Sequence, residues 1–285
     1  MRVDTPSNVN ELRDVLRSAV AAPQKCSLLA GGTDLLVHLH ASPDLSPDLI
    51  NLSDVKELKS IEIHRDHMEI GACATFADIE GHPLIQERFS ALARAASLVG
   101  SPQIRNLGTI GGNIANASPA ADSLPPLCAL EASLLIENAE GAQSTLSPAQ
   151  LASAPGKNSL HTDQYIRSVL LPLRENLLSF FVKTGSRKAV AISKLSLALA
   201  FSSEPGHVRL FAGSLGTSPI RMEATEAVLD RRDWTEANHT AFLDALSDEV
   251  DCAIPGRASL PFKRLAVRGL GDDLWTAAKE AISRG

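Results

Sequence analysis

Between Val9 and Ala19 the apolar residues Val9, Leu12, Val15, Leu16 and Ala19 recur at three- and four-residue spacings, which puts them on one face of a helix. Asn8 with Glu11 three residues on predicts a capping box at its start, and Pro23 closes it. The period then changes: Ser27 to Ala30 is a short apolar run of the kind that forms a buried strand, and Asp48 to Leu52 reads the same way. Ile61 to Ile63 and Met68 to Ile70 predict a hairpin across Arg65 and Asp66. Thr75 with Asp78 marks a second helix start. Pro83 and Leu84 lead into a longer helix that buries Phe89, Leu92, Ala93 and Ala96 and ends at Gly100. Leu124 to Glu131 predicts a short apolar helix, and Ala132 to Glu137 a strand.

Around Leu171 and Pro172 the pattern changes again. Leu178 to Lys183, Ala191 to Phe201 and Val208 to Gly213 are of strand length and are separated by turn-rich connections such as Ser203-Glu204-Pro205-Gly206, which predicts a small antiparallel sheet of three strands. After Ser218 and Pro219 the pattern is helical: Arg221 to Leu229, Thr235 to about Val250, and Pro261 to near the end. A domain boundary falls near Pro172, giving residues 1–172 and 173–285, with no internal repeat. Mixed helices and strands of this kind indicate an α+β or α/β fold.

Composition narrows the function. The chain has 285 residues, 44% hydrophobic and 21% charged, an ordinary balance for a globular protein. Its net charge of −6, with no local run of lysine and arginine, argues against a nucleic-acid surface, so an anionic ligand would have to be held by backbone groups. Cys26, Cys73, Cys128 and Cys252 are scattered, without the paired spacing of a zinc or iron–sulfur site, and suggest reduced thiols in a cytoplasmic protein. No apolar run is long enough to span a bilayer, and no signal pattern is present.

Two glycine segments stand out. Arg105 to Asp122 reads R-N-L-G-T-I-G-G-N-I-A-N-A-S-P-A-A-D, nearly free of bulky side chains, and Leu28 to Asp34 reads L-L-A-G-G-T-D. Neither has the spacing of the dinucleotide fingerprint or of the lysine-terminated phosphate loop. Each predicts an open run of backbone N–H groups able to hydrogen-bond a pyrophosphate. Thr33, Thr109 and Asn113 could add side-chain donors, and Asp122 an acceptor for a sugar or ribityl hydroxyl, although it could equally cap the helix that follows. A Gly-Gly pair taken alone is more often just a tight turn.

The second segment, continuing through Ser123, Leu124 and Pro125, resembles the flavin-binding subunits and domains of the molybdenum hydroxylases, and Leu28 to Leu36 resembles the first flavin loop of that family. Lys183-Thr184-Gly185-Ser186-Arg187-Lys188 with Ala191-Ile192-Ser193, and Gly216 to Arg221, are similar to two looser motifs of its C-terminal domain. The resemblance implies an α+β fold: a vanillyl-alcohol-oxidase (PCMH)-type FAD domain of two subdomains, then a domain with a three-stranded antiparallel sheet and helices. It further implies that Leu28, Leu29, Ala30, Gly31, Gly32, Thr33 and Asp34 hold the FAD pyrophosphate. Thr109, Gly111, Gly112, Asn113, Asn116, Ala121 and Asp122 would line the rest of the cofactor, with Lys183 approaching from the second domain. The implied role is electron transfer: electrons arrive from a 2Fe-2S small subunit beside a molybdopterin-binding large subunit, and pass to NAD⁺ or another acceptor. No side chain is required as a catalytic acid or base, and no metal is expected on this chain.

The sequence departs from the family pattern in places. Gly256-Arg257-Ala258-Ser259-Leu260-Pro261-Phe262 lacks an aspartate and a tyrosine often found there, and Ala189 and Val190 replace acidic residues. His38 and His40 would face the same way on a strand but lack a third ligand, and read as surface residues. Trp234 reads as a packing residue. Two rival readings remain: a self-contained flavin reductase or oxidase of the same superfamily, and a flavin-free scaffold.

Overall fold

The computed structural model describes residues 2–42, 47–187, 190–202 and 206–284. The chain opens with β1 (Val3–Asp4), α1 (Val9–Ala21), β2 (Cys26–Leu29), α2 (Leu35–Ala41) and β3 (Asp48–Asn51). The strands form a parallel sheet in the order β1-β3-β2, and parallel neighbours need crossover connections such as α1 and α2 supply. The apolar face of α1 lays Leu12 and Leu16 beside Ile50 and Leu58 in a small core. Asn8 caps the helix by accepting from the Glu11 N–H, but the Glu11 carboxylate bonds the N–H and hydroxyl of Ser7, so the predicted reciprocal box is shifted by one residue.

A second subdomain follows: β4 (Ile61–Ile63), β5 (His67–Gly71), α3 (Phe76–Gly81), α4 (Pro83–Arg88), α5 (Ser90–Ser97), α6 (Pro102–Arg105), α7 (Ile110–Ala115), α8 (Leu124–Ala129), β6 (Ser133–Asn138), β7 (Gln143–Leu146), α9 (Pro148–Leu151), β8 (Ala152–Ala154), β9 (Lys157–Asn158) and β10 (Gln164–Pro172). Five of its strands make an antiparallel sheet ordered β4-β5-β10-β6-β7. The long helix expected after Pro83 is instead two helices, broken at Phe89, whose φ of −131° and ψ of 48° leave the helical region. Thr75 and Asp78 form the expected capping box. Glu137 of β6 is completely buried, yet its carboxylate accepts from Arg13 (3.0 Å), Gln143 (2.7 Å), Arg167 (2.9 Å) and the Tyr165 hydroxyl, which ties α1 to the larger sheet.

The remainder comprises β11 (Leu178–Gly185), β12 (Ser193–Phe201), β13 (Val208–Gly213), β14 (Ile220–Arg221), α10 (Glu223–Leu229), α11 (Glu236–Ala253) and α12 (Leu260–Arg284). The three expected antiparallel strands are joined by the two-residue edge strand β14. Central strand β12 is buried on both faces. Leu195, Leu197, Leu199 and Phe201 pack under α10–α12, while Ala198 and Ala200 join the core that contains α5 and α8, and small side chains on that face let the helices approach closely. Trp234 packs 4.7 Å from Trp275 as expected. The two halves interlock: Ser179 of β11 caps α5 by accepting from the Ala91 N–H at 3.1 Å, a cap the local sequence of α5 does not provide. The predicted turn at Ser203, Glu204 and Pro205, together with Lys188 and Ala189, lies outside the described residues.

Candidate functional site

Both glycine segments meet at one place. A methyl group on Gly31 would lie 1.9 Å from the Leu107 carbonyl oxygen, and one on Gly108 would lie 3.5 Å from Thr33 Oγ1. A methyl on Gly112 would sit 3.8 Å from the Ala30 Cβ. Only residues without a Cβ permit this approach at Gly31, and Gly32 has a φ of +69° that L side chains rarely adopt.

The two segments differ in what their backbone offers. Leu28 and Leu29 lie in β2, and the chain then turns through Ala30, Gly31, Gly32, Thr33 and Asp34 into α2. Among the described residues, the N–H groups of Gly31, Gly32, Thr33, Asp34 and Leu35 donate to no protein acceptor. Five consecutive open donors give this loop the hydrogen-bonding capacity to hold an anion. The Thr109–Asp122 segment was expected to be a second cradle, but it folds as α7. Thr109 is its N-cap and accepts from the Gly112 N–H at 3.1 Å, while Ile110 N and Gly111 N donate to the carbonyls of Ala74 and Ala72 at 3.0 and 2.8 Å. The first-turn amides are therefore engaged within the protein. Gly111 is required for another reason: a methyl there would meet Ala72 Cβ at 2.6 Å, so the helix lies directly on the chain after β5.

Further along, Asn113 accepts from the Ser123 hydroxyl at 2.7 Å, whereas the Asn116 side chain has no partner among the described residues. Ala121 and Asp122 are buried. Asp122, 8% exposed, does not cap the following helix. Its Oδ2 takes a 2.6 Å hydrogen bond from Lys183 of β11, and its Oδ1 takes one from the Ser193 hydroxyl of β12. The remaining Lys183 protons go to the carbonyls of Leu98 and Ala191, at 3.0 and 3.2 Å. Lys183 and Asp122 thus face each other across the two halves of the chain, and both groups are fully engaged. Burial pushes the Asp122 carboxyl above its ordinary value, with the hydrogen bonds from Lys183 and Ser193 pulling the other way. The 3.0 Å bond from Ser214 N to the Pro119 carbonyl adds a further tie to the same segment.

Residues 1–174 match the protein family described as the FAD binding domain in molybdopterin dehydrogenase. The chain belongs to this family. It is 30% identical over 288 residues to the nicotinate dehydrogenase FAD-subunit of Eubacterium barkeri, covering 98% of this chain and 96% of that one. It is also 30% identical over 259 residues to the xanthine dehydrogenase FAD-binding subunit of Escherichia coli O157:H7, covering 88% of each. Among solved structures, carbon monoxide dehydrogenase from Hydrogenophaga pseudoflava superposes with a TM-score of 0.82 at 24% identity, over 95% of this chain and 94% of that one. Quinoline 2-oxidoreductase from Pseudomonas putida 86 gives 0.86 at 18%, over 99% and 97%; at these identities the likeness establishes the fold. The chain is accordingly an oxidoreductase flavoprotein of the molybdenum hydroxylase type, with FAD as its cofactor. No described helix is long and apolar enough to cross a membrane.

Other groups fall outside this site. His38 and His40 lie exposed on α2, where His38 bonds the Asp34 carbonyl at 3.1 Å. Burial pushes the Cys73 and Cys128 thiols up to about 12, which disfavours the nucleophilic thiolate.

Proposed function

We propose that this chain is the electron-transfer flavin subunit of a cytoplasmic complex, taking electrons from a 2Fe-2S subunit that works beside a molybdopterin-binding subunit and passing them to NAD⁺ or another acceptor. Residues 1–172 would carry the cofactor and 173–285 would form the closing domain. The observation that carries this reading is the row of five open amides from Gly31 to Leu35. They fit the pyrophosphate of FAD, because each charge-assisted hydrogen bond is about twice as strong as a neutral one and the Gly31 and Gly32 backbone leaves room for close approach. Leu28 to Asp34 hold the pyrophosphate; Thr109, Gly111, Gly112, Asn113, Asn116 and Ala121 shape the opposite wall, with the Asn116 side-chain amide, which has no partner among the described residues, available to bond a ligand. Asp122 and Lys183 hold that wall in position through their mutual contact. FAD supplies the two-electron redox chemistry when bound.

Co-purification from the native source followed by a visible spectrum tests the reading. A yellow chain accompanied by iron–sulfur and molybdenum subunits is the expected result. A colourless chain that cannot be reconstituted with FAD refutes it, as does a flavin-loaded chain that oxidises a substrate unaided.

A further inference from the structure

A cavity of about 490 Å³ opens where Pro119 and Ala120 meet the start of α12, and Lys194, Ser259 and Lys263 contribute to its polar wall. None of the cradle amides lines it. The Ser193 and Ser214 hydroxyls that also border it are engaged, with Asp122 and with the Ser193 carbonyl respectively. Lys263 is the unusual member. It is only 9% exposed, its ammonium donates to the Ser214 carbonyl, and among the described residues it meets no carboxylate. Burial and the nearby Arg257 guanidinium push its pKa below the ordinary value. Arg257 donates to the Leu215 carbonyl and forms no ion pair among the described residues either. Lys194 lies 5.3 Å from the centre of the Phe262 ring. Among the described residues none of these three cations forms an ion pair; Lys194 and Arg257 are exposed, so the missing counter-charge is costly only for the buried Lys263 ammonium. An anion entering the cavity would remove that cost.

We propose that this cavity is a phosphate-binding site, in which Lys263, Lys194 and the Ser259 hydroxyl at the head of α12 hold one phosphate group. The volume exceeds that of a single phosphate, and Pro119 with the Phe262 ring provides an apolar wall, so the group can arrive as inorganic phosphate or as part of a nucleotide.

Calorimetric titration of the full chain, saturated with FAD, with inorganic phosphate, ADP and adenosine tests this. Phosphate and ADP bind and adenosine does not. Lys263→Met weakens both ligands at least about tenfold, as expected for loss of one charge-assisted hydrogen bond. Lys194→Met weakens them less, and Lys263→Arg retains them. Without ligand, Lys263→Met melts no lower than the parent, because an uncompensated charge has been removed. ADP binding much more tightly than phosphate assigns a nucleotide, and equal affinities assign the free ion; both uphold the site. Absence of binding at about 10 mM, affinities unchanged in both methionine variants, or a Lys263→Met chain that no longer folds overturns it. Because the readout is the response to these substitutions, a failure of the flavin reading would leave the result interpretable.

Discussion

Replacing Gly31 with alanine places a methyl group 1.9 Å from the Leu107 carbonyl oxygen and 2.7 Å from its carbon, both backbone atoms. To reach the 3.4 Å of ordinary contact the two glycine segments must part by about 1.5 Å. That is enough to break hydrogen bonds, whose useful range spans only a few tenths of an ångström around 2.9 Å. If two of the five cradle amides lose a charged partner at about 1.5–3 kcal/mol each, FAD affinity falls by roughly 10²- to 10⁴-fold. The β2 strand and α2 are unaffected, so the chain should retain its circular dichroism spectrum. The assay is a fluorescence titration of FAD into flavin-stripped protein, with thermal melting as the folding control. A folded Gly31→Ala chain that binds FAD within threefold of the parent would refute the assignment of this loop.

Four further outcomes are expected. Gly112→Val brings a β-carbon to 2.9 Å from Thr109 Oγ1, displaces the α7 cap and lowers FAD retention with a modest loss of stability, about 1–2 kcal/mol; a melting temperature and flavin content equal to the parent's would contradict this. Lys183→Met leaves Asp122 buried without its cation and costs about 3 kcal/mol at neutral pH. Because burial holds the Asp122 carboxyl above its unfolded value, its charge costs stability once pH exceeds that unfolded value, so the Lys183→Met deficit should grow from acid to neutral pH; a flat profile would count against it. For Glu137, burial raises the carboxyl, but bonds from Tyr165, Gln143, Arg167 and Arg13 outweigh this and hold it below 4.5, so its contribution is complete above that value and is lost as pH falls through the folded one. Glu137→Ala should cost about 3–5 kcal/mol in urea melts near pH 7, with the gap closing in acid. With native protein, iodoacetamide should label Cys252 readily and spare Cys73 and Cys128; prompt modification of either buried thiol would show that the packing there is looser than described.

Elements that carry one clear period, such as α1 and the β4–β5 hairpin, were legible from sequence, and the glycine motifs pointed to the family. Elements shaped by distant partners were not. Strand β10, central in its sheet, has a bulge between Ile166 and Ser168, which resets the inside–outside alternation that would have revealed it. Its flanking Arg167 is polar because it serves buried Glu137. The Gly111-Gly112 pair argues against a helix on intrinsic propensity, yet α7 forms because the carbonyls of Ala72 and Ala74 take its first amides, a tertiary contact invisible locally. The segment whose small residues suggest open backbone is therefore a helix with its first amides engaged. Lys183 and Asp122 were each singled out by motif, but they are 61 residues apart, and nothing in either motif says that they bond each other rather than a ligand.

The bond between Lys183 and Asp122 joins segments that are synthesised at different times. During synthesis, residues through Asp122 leave the ribosome well before Lys183, Ser193 and Ser214, so the Gly31–Leu35 loop can form while the far side of the site still lacks its supports. If the proposed site is the cofactor seat, it is completed last, by strands made after the segments that supply most of it. A nascent chain stalled near residue 175 would present an open half-site, and closure would come with chain completion.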